Sequence, residues 1–128
     1  MTIITNDGLK WYRDISVGDD ENIDAVALGT GITETSISDT SLQNEVYRGT
    51  KSDINVTIRK GDNYNEFDVY IDVTGGSQIS AGTEITEIGV FAESGTSDEV
   101  MIARDVFNSV ELVSGIKERF STTIRINR

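Results

Sequence analysis

Apolar and polar residues alternate strictly in three stretches of the chain. Ile54, Val56 and Ile58 alternate with Asn55, Thr57 and Arg59. Phe67, Val69, Ile71 and Val73 alternate with Glu66, Asp68, Tyr70 and Asp72. Phe120, Thr122, Ile124 and Ile126 alternate with Arg119, Ser121, Thr123 and Arg125. A period of two marks a strand with one face in a core and the other in water or in an interface. Lys60-Gly61-Asp62-Asn63 reads as a turn, which predicts that the first two runs pair as a hairpin. Gly75-Gly76-Ser77 ends the second run, and the third is expected to pin the C-terminal residues into a sheet.

A different pattern occupies residues 85–107. Ile85-Thr86-Glu87-Ile88-Gly89-Val90-Phe91 and Val100-Met101-Ile102-Ala103-Arg104-Asp105-Val106-Phe107 carry apolar residues at adjacent positions and flank a polar turn around Gly95. This predicts a hairpin buried on both faces, central to the sheet system. Gly89, with no side chain to pack, predicts a bulge or a close backbone neighbour. Residues 23–31 predict a buried strand that leaves through Gly29 and Gly31 at positive φ. Residues 46–54 read as one extended run. In the polar stretch 32–44, Asp39 stands where an N-cap would and Leu42 one turn on, and this is the one helical signal.

Residues 1–22 hold a turn signal, Asn6-Asp7-Gly8, then Leu9, Trp11, Tyr12 and Ile15, then the acidic run Asp19-Asp20-Glu21. The organisation expected is an N-terminal arm over 1–22, a candidate assembly contact, and a single domain over 23–128. Its fold class is all-β, an antiparallel β-sandwich or small barrel of six to eight strands. The chain has no Pro, so sheet edges must be protected by charged residues or by neighbouring subunits.

Composition narrows the chemistry. The 128 residues are enough for one domain with its own core. There is no Cys and no His, which removes disulfides, thiolate metal sites, the commonest general base and any Ser-His-Asp or Cys-His device. No run of about 18 apolar residues exists, and the N-terminal residues lack the basic and apolar regions of a secretory signal. Asp and Glu number 22 against 11 Lys and Arg, for a net charge of -11. Nucleic acid and anionic lipid are poor partners for such a chain. The excess serves ordinary solubility or life in molar salt; only four of the basic residues are Lys, which favours the second.

The candidate sites are few. Asp68, Tyr70 and Asp72 share the outward face of one run, and carboxylates two residues apart on a strand lie about 7 Å from each other. That approaches glycosidase spacing, but a solvated acidic face is the better reading, with Arg119 and Arg125 as partners for acids such as Asp68 or Asp72. Gly29-Thr30-Gly31 lacks the third glycine and the following helix of a dinucleotide fingerprint. Asp19, Asp20, Glu21 and Asp24 lack the spacing of a calcium loop. No nucleophile and base can be paired, so no catalytic, cofactor-binding or metal residue is assigned, no cofactor is expected, and the chain is expected not to be an enzyme. Trp11, Tyr12 and Tyr70, large aromatics outside the clean core runs, are the candidate interface anchors.

Four segments in order, Ala27-Leu28-Gly29-Thr30-Gly31, Asp39-Thr40-x-Leu42-x-x-Glu45-Val46-Tyr47-Arg48, Ile85-Thr86-Glu87-Ile88-Gly89-Val90-Phe91 and Ala103-Arg104-Asp105-Val106-Phe107, resemble small virion proteins of tailed bacterial and archaeal viruses. Those proteins are usually assigned to the tail or its fibres. The resemblance spans about residues 23–128. It implies a non-enzymatic structural β-domain of a tail, baseplate or fibre that self-assembles and docks to other virion proteins, without functional residues to carry over. With the acidic balance, it points to a haloarchaeal tailed virus. Localisation is then the virion, after synthesis in the host cytoplasm. The alternatives are a capsid decoration or turret protein, or a module that binds a host receptor or surface glycan.

Overall fold

The computed structural model describes residues 2–14 and 23–127, with the side chains of all but Arg13 and Asp14. Among these residues, eight strands and one α-helix follow in the order β1 (Ile3–Ile4), α1 (Asn6–Asp14), β2 (Ile23–Gly29), β3 (Glu45–Thr50), β4 (Ile54–Lys60), β5 (Tyr64–Thr74), β6 (Glu84–Ala92), β7 (Val100–Glu111) and β8 (Lys117–Asn127). They form two antiparallel sheets, β1-β7-β6-β2-β3 and β4-β5-β8. The all-β antiparallel fold expected from the sequence is observed, and of the two forms expected, sandwich or small barrel, it is the sandwich.

The three alternating runs are β4, β5 and β8. The hairpin between β4 and β5 forms in an unbroken register from Ile54↔Ile71 to Lys60↔Asn65. β5 pairs with β8 over eleven residues, from Tyr64↔Asn127 to Thr74↔Lys117. Phe67, Val69, Ile71 and Val73 from β5 and Phe120, Ile124 and Ile126 from β8 turn inward and are buried. They meet Ile23, Val26, Leu28, Ile85, Ile88, Val90 and Ile102 of the larger sheet in one core.

The hairpin of β6 and β7 is central, as its doubly apolar pattern requires: β6 is the middle strand of five, and every residue from Ile85 to Ala92 is buried. Its inner face joins the main core. Its outer face, with Ala25, Ala27, Phe91, Met101 and Leu42, forms a second small apolar cluster beneath residues 31–44. Gly95 in the turn has φ +80°, a conformation that glycine adopts without strain. The register shifts between Ile85 and Glu87 and between Val90 and Phe91, on either side of Gly89. A side chain at Gly89 would collide with Leu42, so the close neighbour there is a side chain rather than backbone.

Three expectations are corrected. The helix is Asn6–Asp14, not the stretch at Asp39. Thr5 is its N-cap: the Gly8 amide donates to Thr5 Oγ1 at 2.9 Å and the Leu9 amide to the Thr5 carbonyl at 3.0 Å. Gly8 lets the helix lie directly on the backbone at Ile102 of β7. Gly29 and Gly31 do not have positive φ; a side chain at either would occupy the place of the Glu87 carboxylate. The run 46–54 is broken by a 3-10 turn at Lys51–Asp53, where the chain crosses from the larger sheet to the smaller. The Asp53 carboxylate accepts from the Thr50 amide (2.9 Å) and hydroxyl (3.0 Å) and closes that turn.

The edges are protected without proline. β1 is only two residues long, β3 carries a register shift at Leu28/Gly29, and β4 and β8 bear Arg59, Lys60, Lys117, Arg119 and Arg125. Of the N-terminal arm, Ile3–Ile4 and Asn6–Asp14 are part of the sandwich: β1 pairs with β7 and α1 packs on it.

Candidate functional site

Two polar constellations stand out, one buried and one exposed. The buried one centres on Glu87, which is fully buried in β6. Its carboxylate accepts four hydrogen bonds: from the Gly31 amide (2.8 Å), the Gln43 amide (3.0 Å), the Asn44 amide (2.8 Å) and Arg104 Nε (3.0 Å). Arg104, 2% exposed, also donates from Nη1 to Asp39 Oδ2 at 3.1 Å, and its Nη2 is buried without a hydrogen-bond partner. Asp39 in turn accepts from the Ser36 amide at 2.9 Å. Burial pushes the Glu87 carboxyl upward, but the three backbone amides and Arg104 outweigh it and hold the group below its ordinary value. The cluster is a clamp: it fastens both ends of residues 31–44 to the outer face of the larger sheet, with Leu42 seated over Gly89.

The exposed constellation is the outer face of the smaller sheet. Glu66 accepts from Arg59 Nη2 at 2.7 Å and Arg125 Nε at 3.0 Å; both guanidiniums depress its carboxyl. Asp72 takes a bidentate pair from Arg119 at 2.9 and 3.1 Å, which likewise lowers its carboxyl. Asp68 pairs with Arg59 at 2.9 Å and accepts from the Thr123 hydroxyl at 2.7 Å. Arg119 lies over the Tyr70 ring at 3.8 Å and Arg125 over Tyr64 at 3.9 Å. The acids of the candidate glycosidase-like face are thus paired with arginines, and the carboxyls of Glu66 and Asp72 are moved away from a general acid's range rather than toward it.

The candidate interface residues fall in different environments. Trp11 is 7% exposed and lies 6.3 Å from Phe67, inside the chain's own core. Tyr12 is half-buried, edge-on to Phe67, and its hydroxyl accepts from Asn65 Nδ2. Tyr70 is half-buried on the outer face of the smaller sheet, beneath Arg119. Of the acidic group at 19–24, Asp19, Asp20 and Glu21 lie outside the described residues, and Asp24 accepts from the Ser94 amide. Among the described residues, no group of three or more Asp or Glu could hold a metal ion. Among the same residues, no helix is long and apolar enough to cross a membrane.

Glu87 and Arg104 were not among the candidate residues read from the sequence. The signal was there: each is a charge in the middle of a doubly buried run, and such a residue must find a partner of opposite sign. These features define the class, a small two-layer antiparallel β-sandwich with a clamped covering loop. Compared with family models, curated proteins and solved structures, the chain matches none.

Proposed function

We propose that the chain is a non-enzymatic virion structural protein, a tail, baseplate or fibre-associated module that self-assembles and docks to other virion proteins. One observation carries this reading. The four segments on which the resemblance rests, far apart in sequence, meet at the clamp: Gly31 from the first, Asp39 and Leu42 from the second, Glu87 and Gly89 from the third, Arg104 from the fourth. These segments therefore build one framework, which supports a structural role over a catalytic one. The Tyr64 and Tyr70 rings are covered by guanidiniums, which speaks for an assembly role over stacking against a glycan. The acid excess fits a virion that meets molar salt.

The genes flanking this one test the reading. Tape-measure and baseplate genes are the expected neighbours; portal and capsid genes would move the protein to the head, and a metabolic operon would end the proposal. The high-salt half is tested by melting in KCl from about 0.05 to about 2 M, across which the screening length falls from roughly 13 Å to roughly 2 Å. The melting temperature should rise by several degrees; a flat or falling curve removes the haloarchaeal origin.

A further inference from the structure

Charge is segregated across the sandwich. By register, the outer face of the smaller sheet carries four of the eleven cations, Arg59, Lys117, Arg119 and Arg125, and only three of the twenty-two acids, Glu66, Asp68 and Asp72. It bears one net positive charge while the rest of the chain bears twelve negative. The signs are also layered by depth. The side chains of Arg59, Arg119 and Arg125 are 62%, 56% and 54% exposed, whereas Glu66, Asp68 and Asp72 are 10%, 33% and 26% exposed beneath them. A partner meets guanidiniums first. Each is held in place by a carboxylate, and two are also stacked on tyrosine, so little conformational freedom remains to be lost on binding. A guanidinium has five N–H donors, so these arginines keep donors to offer.

The opposite side of the sandwich has the complementary character. Ile3, Arg104 and Val106 share the outer face of the larger sheet, because Ile3 pairs with Arg104 and Val106 follows it by two. There Ile3, Val106, Ile32 and Thr35 line a groove of 420 Å³ that also contains Glu34. Apolar walls beside a carboxylate suit an arginine, whose stem packs on the walls while its head reaches the acid. Three of the large exposed apolar residues, Ile32 (75%), Ile37 (58%) and Val46, lie on this side or in the segment covering it. Glu84 and Glu111, exposed and directly opposed across β6 and β7, are a like-charge pair that is destabilising until a cation joins it.

We infer that the chain assembles head to tail, the arginine face of the smaller sheet of one copy seating on the loop-covered, acidic face of the larger sheet of a second copy. This rests on the self-assembly in the proposed function and names its two surfaces. Arg119 and Arg125 stand six residues apart on β8, about 20 Å, a span that fits carboxylates spread over a protein surface rather than one small anion. Like net charges repel the copies at low ionic strength, but at about 1 M salt only charges within about 3 Å still act, and the contact pairs decide. The two surfaces differ, so the contact is heterologous and extends to rings or filaments.

Sedimentation velocity of the full chain in 0.1 and 1 M KCl tests this with two variants. Arg119→Gln with Arg125→Gln removes charge from one face, and Ile32→Ser with Glu34→Lys disables the other. The wild type should associate, more strongly in 1 M KCl, and each variant alone should associate at least ten-fold more weakly. An equimolar mixture should form a dimer that grows no further, since each chain keeps one working face; that outcome also shows that both variants fold. A wild type that stays monomeric in both salts overturns this inference together with the self-assembly reading. A wild type that associates while the arginine variant does so equally well, or a mixture that gives no dimer, overturns these two faces and leaves the self-assembly reading standing.

Discussion

Two carboxylate–guanidinium systems, made from the same functional groups, have opposite consequences here. Glu87 and Arg104 are shut away from water, at 0% and 2% exposure, whereas Asp72 and Arg119 form an ideal bidentate pair at the surface. In the first case two charges have been taken out of water, so each depends on the other and on the amides of Gly31, Gln43 and Asn44. In the second, water and salt stand ready to replace either partner. The buried system therefore fixes the fold, and the exposed one sets what the surface offers to a partner.

The largest break in this comparison is Glu87→Ala. It strands Arg104 and three backbone amides at once, and a loss of about 3–5 kcal/mol is expected, read in urea or thermal unfolding. Arg104→Met should cost less, because Glu87 keeps its three amide donors. If the two cost the same, the amides contribute nothing and the clamp is a simple ion pair.

Gly31→Ala comes next, at about 1–3 kcal/mol, since its methyl group would meet Glu87 and Gln43. Gly82→Ala is no control for it: Gly82 has open space around it, but its positive φ carries a strain of its own.

Acid separates the systems differently. The Glu87, Glu66 and Asp72 carboxyls are all held below their unfolded values, so the stability they give is complete above about pH 4, the unfolded range, and is lost as pH falls through the folded values below it. The chain should lose stability steadily on acidification, and Glu87→Ala should show a shallower decline than the wild type. Parallel curves would mean that the acid sensitivity lies elsewhere.

The smallest effect belongs to Arg119→Gln, a slight loss of stability in dilute salt that shrinks further in about 2 M KCl, while the Glu87→Ala deficit persists there. An Arg119 deficit that survived molar salt would show that the exposed pair is shielded from solvent after all.

Much of the sandwich was legible in the sequence because strand faces are a local property. A period of two assigns Phe120, Thr122, Ile124 and Ile126 to the core and Arg119, Ser121, Thr123 and Arg125 to the surface without knowledge of any neighbour, and the burial along β8 follows that division residue by residue. The doubly apolar run at Ile85 likewise announced a central strand. Arg119 could be matched with Asp72 because both lay on outward faces of the chain's longest alternating runs. The helix could not be read so: its nine residues are too few for a periodic signal, and its place depends on Gly8 meeting the backbone at Ile102.

The tertiary structure alone decided what Glu87 is for. Its donors come from positions 17 to 56 residues away, and none of Gly31, Gln43, Asn44 or Arg104 announces in its own neighbourhood that it will meet a carboxylate. Gly29 and Gly31 illustrate the same limit: the sequence showed that a side chain was unwelcome there, and only the fold showed that the reason was space for Glu87 rather than backbone conformation. Periodicity along a strand is set by the geometry of one residue after the next, so the sequence carries it. The convergence of distant donors on a buried charge is set by how the layers pack and where the covering loop lands, and that exists only once the chain has folded.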